Sequence, residues 1–320
     1  MPRPPFFSIV VPTCDRPRQL AACLQSLERL DYPRDRFEVI VVDDGTPTAP
    51  PALVVEMKAG PNVRWVRQPH AGPAAARNLG ATHARGSLLA FTDDDCAPAP
   101  GWLWALAARF DASPDSAIGG RTVNALPGNP YSTASQLLVS HLYGYYNADP
   151  LRARFLASNN LAVPTVAFHH IGGFNTSWQR AAAEDRELCD RWLRRGHVMT
   201  YASEAVVHHS HALTFRSFVR QHFTYGRGAS WFHRTRRARG HDRLKLEPPR
   251  FYVDLIRQPF ALRRGARAPL LAALMVITQI ANAAGFLWEA LAARASSVRT
   301  DPQAKPANVR ERDTREARHE

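Results

Sequence analysis

Three short apolar runs each stop at carboxylates, and this repetition restricts the possible folds more than any other feature of the chain. Ser8 to Val11 leads into Pro12-Thr13-Cys14-Asp15, Phe37 to Val42 into Asp43-Asp44-Gly45, and Leu88 to Thr92 into Asp93-Asp94-Asp95. A run that is apolar at consecutive positions has no face to give to water, so it reads as a strand covered on both sides, the situation of parallel strands between helices. Between the runs, Leu20, Cys23, Leu24 and Leu27 recur at helical spacing, and a further helix is expected over about residues 74–84. Val63 to Arg67 supplies another strand. This alternation predicts an α/β fold with a mainly parallel central sheet flanked by helices, and ligands bound beyond the carboxyl ends of the strands.

Each acidic strand end has two readings. Three adjacent carboxylates at Asp93, Asp94 and Asp95 repel one another and call for a cation, and a hard divalent ion bridging to a diphosphate suits them. A solvated turn capping the helix that starts near Trp102 is the plainer alternative. Asp43 and Asp44 can accept from a base N–H or from ribose hydroxyls, or simply form an Asp-Gly turn. Arg77 and Asn78 sit near a predicted helix start, where an arginine and backbone N–H groups meet phosphate oxygens. Glu184 and Asp185 open a strongly helical stretch, either as acids favoured by the helix dipole or as a general base facing a sugar's anomeric carbon. His208, His209 and His211 follow a strand-like run and are candidates for metal or phosphate, or surface histidines. Downstream, Arg220, Gln221, Tyr225 and Arg227 in RQHFTYGRG are suited to closing over a diphosphate, or form one face of an amphipathic helix.

Beyond Gly119-Gly120 the pattern is less regular, and this half is expected to cover the crevice and select the second substrate. Asn160, Gly173 and Trp178 are the acceptor-side candidates there. Composition matters mainly at the far end. The chain carries 41 Lys+Arg against 28 Asp+Glu, a net charge of +13, which favours phosphate-bearing partners or anionic surfaces. Arginines crowd the stretch from Arg216 to Arg267, whereas the acidic clusters precede about residue 190. Residues 269–291 then turn apolar, without a charge between Leu270 and Trp288, about the minimum for a membrane-crossing helix. Membrane association and packing on the protein are both open for this helix. The charged, proline-containing tail over residues 296–320 is expected to be disordered. The four cysteines form no CxxC pair and no zinc spacing, so a reducing compartment is the default, and FFSIVV is too short for an export signal.

Taken in order, SIVVPTCDRP, FEVIVVDDGT, AGPAAARNLG, LLAFTDDDCAPAPGWL, ASNNLAV, IGGF, AEDRELCDRWLRRG, AVVHHSH and RQHFTYGRG resemble the family 2 glycosyltransferases, over roughly the first 230 residues. The resemblance implies a GT-A-like fold over residues 1–230, with nucleotide-sugar binding in about 1–120 and the acceptor side in about 121–230. A basic and apolar helical extension follows over residues 231–295. It places the nucleoside against Pro12, Thr13, Asp15 and Asp44, with Asp43 shaping the turn. It puts the metal-side pair at Asp93 and Asp95, with Asp94 near the ribose or sugar, and the catalytic base at Asp185 beside Glu184. The implied cofactor is Mn2+ or Mg2+. The implied partners are a nucleotide-sugar donor, UDP-linked foremost and GDP- or dTDP-linked otherwise, and a saccharide, lipid-linked or other hydroxyl acceptor. The implied location is the cytoplasm, at or near the membrane's inner face. RQHFTYGRG stands where processive members carry QxxRW, which implies addition of one or a few sugars. Inverting transfer from a nucleotide-sugar, in cell-envelope polysaccharide or glycoconjugate assembly, is the implied activity.

Two other classes fit less well. A nucleotidyltransferase should carry a glycine-rich phosphate loop after the first strand, where PTCDRPRQL has no glycine. A nucleic-acid-binding module should interleave aromatics with its basic residues, which HRTRRARGHDR does not, so no nucleic-acid partner is expected.

Overall fold

The computed structural model describes residues 3–47, 62–178, 180, 182–240, 246–262 and 265–299. The tail over residues 300–320, where disorder is expected, lies outside them. In chain order the first half contains β1 (Phe7–Thr13), α1 (Pro17–Glu28), β2 (Phe37–Asp44), β3 (Val63–Gln68), α2 (Pro73–Thr82), β4 (Leu88–Phe91), β5 (Cys96–Pro98) and α3 (Trp102–Ala112). The second half contains β6 (Ala117–Asn124), α4 (Pro130–Tyr146), β7 (Leu161–Pro164), α5 (Thr165–Ile171), α6 (Glu184–Arg194), β8 (Met199–His209), α7 (Phe215–Ala238), α8 (Pro249–Ala261) and α9 (Ala268–Arg299).

All eight strands form one sheet in the order β3-β2-β1-β4-β7-β6-β8-β5. The four strands at the β3 end are mutually parallel; β1, β2 and β4 are buried at every position, and β3, at the edge, is only partly buried. β7 runs antiparallel to both β4 and β6, and β5 antiparallel to β8, in the half where the sequence pattern is irregular. Successive β1 residues serve opposite faces, as the two-residue strand period demands. Ile9 and Val11 pack with Leu20, Leu24 and Trp102, and Val10 packs with Ile40, Phe91 and Phe174.

Two features of the sheet position the site. The pairing of β1 with β4, Val10 opposite Phe91, brings the loop after β1 beside the triplet after β4. The short β5 doubles back so that Cys96 lies opposite His209, and Asp95 O accepts from Ser210 N at 2.8 Å. The end of β8 is thereby tied to Asp95.

The extension builds a helical wall against the second half of the domain. α9 crosses α7 where glycines face backbone: a Cβ on Gly226 would lie 1.9 Å from Asn282 O, and one on Gly285 would lie 1.9 Å from Phe223 O. Leu271, Leu274 and Met275 of α9 join Phe218 and Leu255 in a buried cluster, each contributing about 1.5–3 kcal/mol. Glu289 pairs with Arg227 at 2.7 Å and with Arg234 at 3.3 Å. The helix is long and apolar enough to cross a membrane. One face packs on α7, while Leu270, Ile280, Leu287, Trp288 and Leu291 remain exposed on another.

Candidate active site

The strand ends and the extension together enclose a cavity of about 1270 Å³. Pro12, Thr13 and Asp44 line one end, with Cys14 and His70. Asp44 is buried and spends its carboxylate on the next loop. Its Oδ1 accepts from Ala71 N at 2.8 Å and Gln68 Nε2 at 2.7 Å, and its Oδ2 from Gly72 N at 2.9 Å. It therefore shapes the wall it belongs to. Asp43 accepts from Thr46 N at 2.9 Å and takes no part in the lining, the arrangement of a turn residue. Asp15, at φ 52°, also lies outside the lining, with its N–H on Thr46 Oγ1.

The acidic triplet lines the middle of the cavity, and its mutual repulsion is met by cations from three elements. Arg16, at the start of α1, reaches Asp94 Oδ1 at 2.7 Å and Asp95 Oδ2 at 2.9 Å. Thr13 Oγ1 donates to Asp94 Oδ2 at 2.8 Å. His209 Nε2 lies 3.1 Å from Asp95 Oδ1. Arg77 Nη2 donates to Asp93 Oδ1 at 2.6 Å, and its Nη1 to Glu184 Oε1 at 3.1 Å. The environments separate Asp94 from Asp95. Burial pushes Asp94 up to about 7, against Arg16 and Thr13. Burial acts on Asp95 too, but the hydrogen bond and charge of His209, together with Arg16, carry it well below the usual carboxylate range. In return His209 is raised against its own burial by Asp95, and His211 is lowered to about 4 by burial and by His209.

Glu184 and Asp185 stand on the cavity wall at the first turn of α6, entered through Ala183 at φ 68°. Arg77 pairs with Glu184, whereas Asp185 is held by backbone N–H groups of Arg186 and Ser158. Its Oδ1 accepts from Arg186 N at 2.7 Å. Burial and then the Glu184 charge raise Asp185 above the ordinary carboxylate range, so it has more affinity for a proton than a solvated aspartate.

The remaining sequence candidates divide. Arg220, Gln221 and His211 line the cavity. Asn78 does not: its amide donates to Phe174 O and accepts from Phe174 N, both at 2.8 Å, and so pins the loop after α5. Gly173, at φ 64°, packs against that same amide. Asn160 is fully buried beneath the site. Its Nδ2 donates to Arg121 O and Ala205 O, and its Oδ1 accepts from Trp102 Nε1 at 2.9 Å. Those partners flank the irregularity in the β6–β8 pairing at Gly120/Arg121, so Asn160 repairs a break in the ladder and does not face an acceptor. Trp178 stacks on Trp231 at 5.9 Å outside the lining, and Arg227 is engaged by Glu289. His208 is exposed.

Arg16 is the site residue that sequence reasoning missed. The available signal was the β1–β4 neighbourhood: if these strands pair, a cation just after β1 is the nearest counter-charge for an acidic triplet just after β4.

Residues 8–223 match the family described as glycosyl transferase family 2. Over 244 residues the chain is 29% identical to the pre-mycofactocin glycosyltransferase of Mycobacterium tuberculosis, covering 72% of this chain and 49% of that one. It thus spans about half the length of that relative. A mannosyltransferase from Pyrobaculum calidifontis, solved in complex with GDP-Man and Mn2+, superimposes with a TM-score of 0.63 at 19% identity, over 90% of this chain and 88% of that one. TarS residues 1–349 from S. aureus, in complex with UDP-GlcNAc, does so with a TM-score of 0.52 at 17% identity, over 91% and 92%. At these identities the likeness establishes the GT-A-like fold.

Proposed function

The chain belongs to glycosyl transferase family 2, and from that premise we propose that it moves a sugar from a nucleotide-diphospho-sugar to an acceptor hydroxyl with inversion at the anomeric carbon. The observation that carries this reading is one cavity lined by Asp44, the acidic triplet and the Glu184–Asp185 pair, with Arg77 joining Asp93 to Glu184. The donor enters with its nucleoside toward Pro12, Thr13 and Asp44, and UDP-, GDP- and dTDP-sugars are the candidates. The acceptors belong to cell-envelope polysaccharide or glycoconjugate assembly.

The donor set suits a divalent ion. Asp95, Cys96 and His209 bring ligand atoms within 4.8 Å of one another. Burial holds the Cys96 thiol well above its ordinary pKa, which leaves a carboxylate and an imidazole, with Asp93 nearby. The carboxylates suit Mn2+ or Mg2+, and the imidazole of His209 favours the transition metal of the two, so Asp95 and His209 would hold Mn2+ whereas Mg2+ would rest on carboxylate oxygens. When bound, such an ion supplies positive charge against the charge growing on the departing diphosphate.

The protein's own groups do the rest. Asp185 takes the proton of the attacking hydroxyl at its carboxylate, and its raised proton affinity suits that task near neutral pH. Arg77 holds Glu184 and Asp93 at fixed separation. Arg220 and Gln221 of α7 face the cavity, where they can meet diphosphate or sugar oxygens. The absence of QxxRW in RQHFTYGRG supports addition of one or a few sugars.

Asp185→Asn is the test. A donor screen recording nucleoside diphosphate release with manganese or magnesium identifies the sugar nucleotide, and the variant should then lose transfer by a factor of about 10²–10⁴. Calorimetry should show donor binding retained. Near-normal transfer by the variant would remove Asp185 from the role.

A further inference from the structure

At about 1270 Å³ the cavity exceeds the roughly 300–1,000 Å³ of a pocket for one small ligand, so it has room for a second beside a nucleotide-sugar. Its two ends differ in chemistry. The strand-end half is lined by the acids and cations described above. The other half is walled mainly by Val139 and Leu142 of α4, Phe251 of α8, and Ala283, Phe286 and Leu287 of α9, with Gln136, Gln279 and Asn282 among them.

A chain of contacts connects the halves. Tyr225 of α7 lines the same cavity as Asp185 and Arg186. Two turns along the same helix, Phe232 carries the Arg186 guanidinium over its ring at 4.9 Å, and the ring of the next residue, His233, lies 6.1 Å from that of Phe286. The apolar half therefore begins next to the base and continues along α9. It ends at solvent, because Leu287 lines the cavity and is 60% exposed, as does Leu246 at 74%. Leu287 also belongs to the exposed apolar face that Ile280, Trp288 and Leu291 continue on the same helix.

A corridor of this kind, polar at the reacting end, apolar along its length and open at an apolar surface, matches an amphiphile. We propose that the acceptor carries its hydroxyl on an aliphatic stem, that the stem lies between α4, α8 and α9, and that the hydroxyl is presented to Asp185. This rests on the glycosyl-transfer reading, since Asp185 is the reference point for the hydroxyl. A free, fully polar sugar would leave the apolar walls unused, whereas a stem in the corridor gains from each methylene taken out of water.

The test is binding of a homologous series, methyl, butyl, hexyl and octyl β-glucosides below their micelle concentrations, measured by calorimetry on the full chain. Affinity should rise about threefold or more per added methylene. Phe286→Asp, and independently Ala283→Trp, which fills the corridor with bulk at a position needing no core rearrangement, should flatten the series. Ile280→Asp, on the exposed face outside the lining, should leave it as in the wild type. A series that is flat in the wild type, or that persists in both corridor variants, or that disappears in Ile280→Asp alone, overturns the proposal. Nucleoside diphosphate release from the donor is followed in parallel. Release together with a flat series refutes the corridor and leaves glycosyl transfer standing. A steep series lost in the corridor variants, with no donor recognised, upholds the apolar site and refutes glycosyl transfer.

Discussion

Burial raises Asp94 while His209 and Arg16 lower its neighbour Asp95, and this division governs how the site should respond to pH. His209 is raised by Asp95, so at pH values below its raised pKa a proton occupies the imidazole that a metal would need. Affinity for manganese should therefore increase as pH rises through that value and then level off. Calorimetry near pH 6.5 in two buffers of different ionisation enthalpy should register proton release on metal binding, and Asp95→Ala should lose both the metal and the metal-dependent part of donor binding. Asp185 responds to a different neighbour. It acts as a base only when deprotonated, so its raised pKa places the acid limb of kcat/KM above the ordinary carboxylate range, with activity falling as pH drops through it. Glu184→Gln removes the adjacent negative charge and should move that limb to lower pH, as a pH–rate profile would record. Asp44 and the triplet were legible as candidates because carboxylates stacked at strand ends are costly without a purpose, and Asp185 as one of two acids opening a helix. Arg16 and Asn160 were not, since one needs the strand order and the other the β6–β8 irregularity before its partners can be named.

Among the elements, β1, β2 and β4 declared themselves through consecutive apolar residues ending in acids, whereas β5 and β7 are three and four residues long and have no such ending. Yet β5 sets the Cys96–His209 register that brings an imidazole to Asp95. The pairing of β6 with β8 depends in turn on Asn160. Replacing it with leucine would leave Arg121 O, Ala205 O and Trp102 Nε1 without their partner in a buried setting, each costing about 1–3 kcal/mol. Asn160→Leu should thus lower stability to urea by several kcal/mol, with the donor-side carboxylates unchanged in sequence. A variant as stable as the parent would show that these carbonyls find other partners.

On the scale of the whole molecule, the sequence left open whether the apolar helix belongs to a membrane or to the protein, because its composition satisfies both. The structure gives it two faces, one on α7 and one exposed. Hydrophobic content is blind to this partition. The glycines at the α7–α9 crossing are the informative residues, since only a backbone without Cβ tolerates carbonyl oxygens at that separation. The same crossing bears on how the protein is handled. Because α9 meets α7 backbone to backbone and supplies part of the wall, removing residues 263–320 to improve solubility would take out a side of the reaction vessel along with any membrane-seeking surface. Such a truncation should release less than a tenth of the parent's glycosylated product. The segment that most resembles a disposable anchor is the one an experimenter should keep.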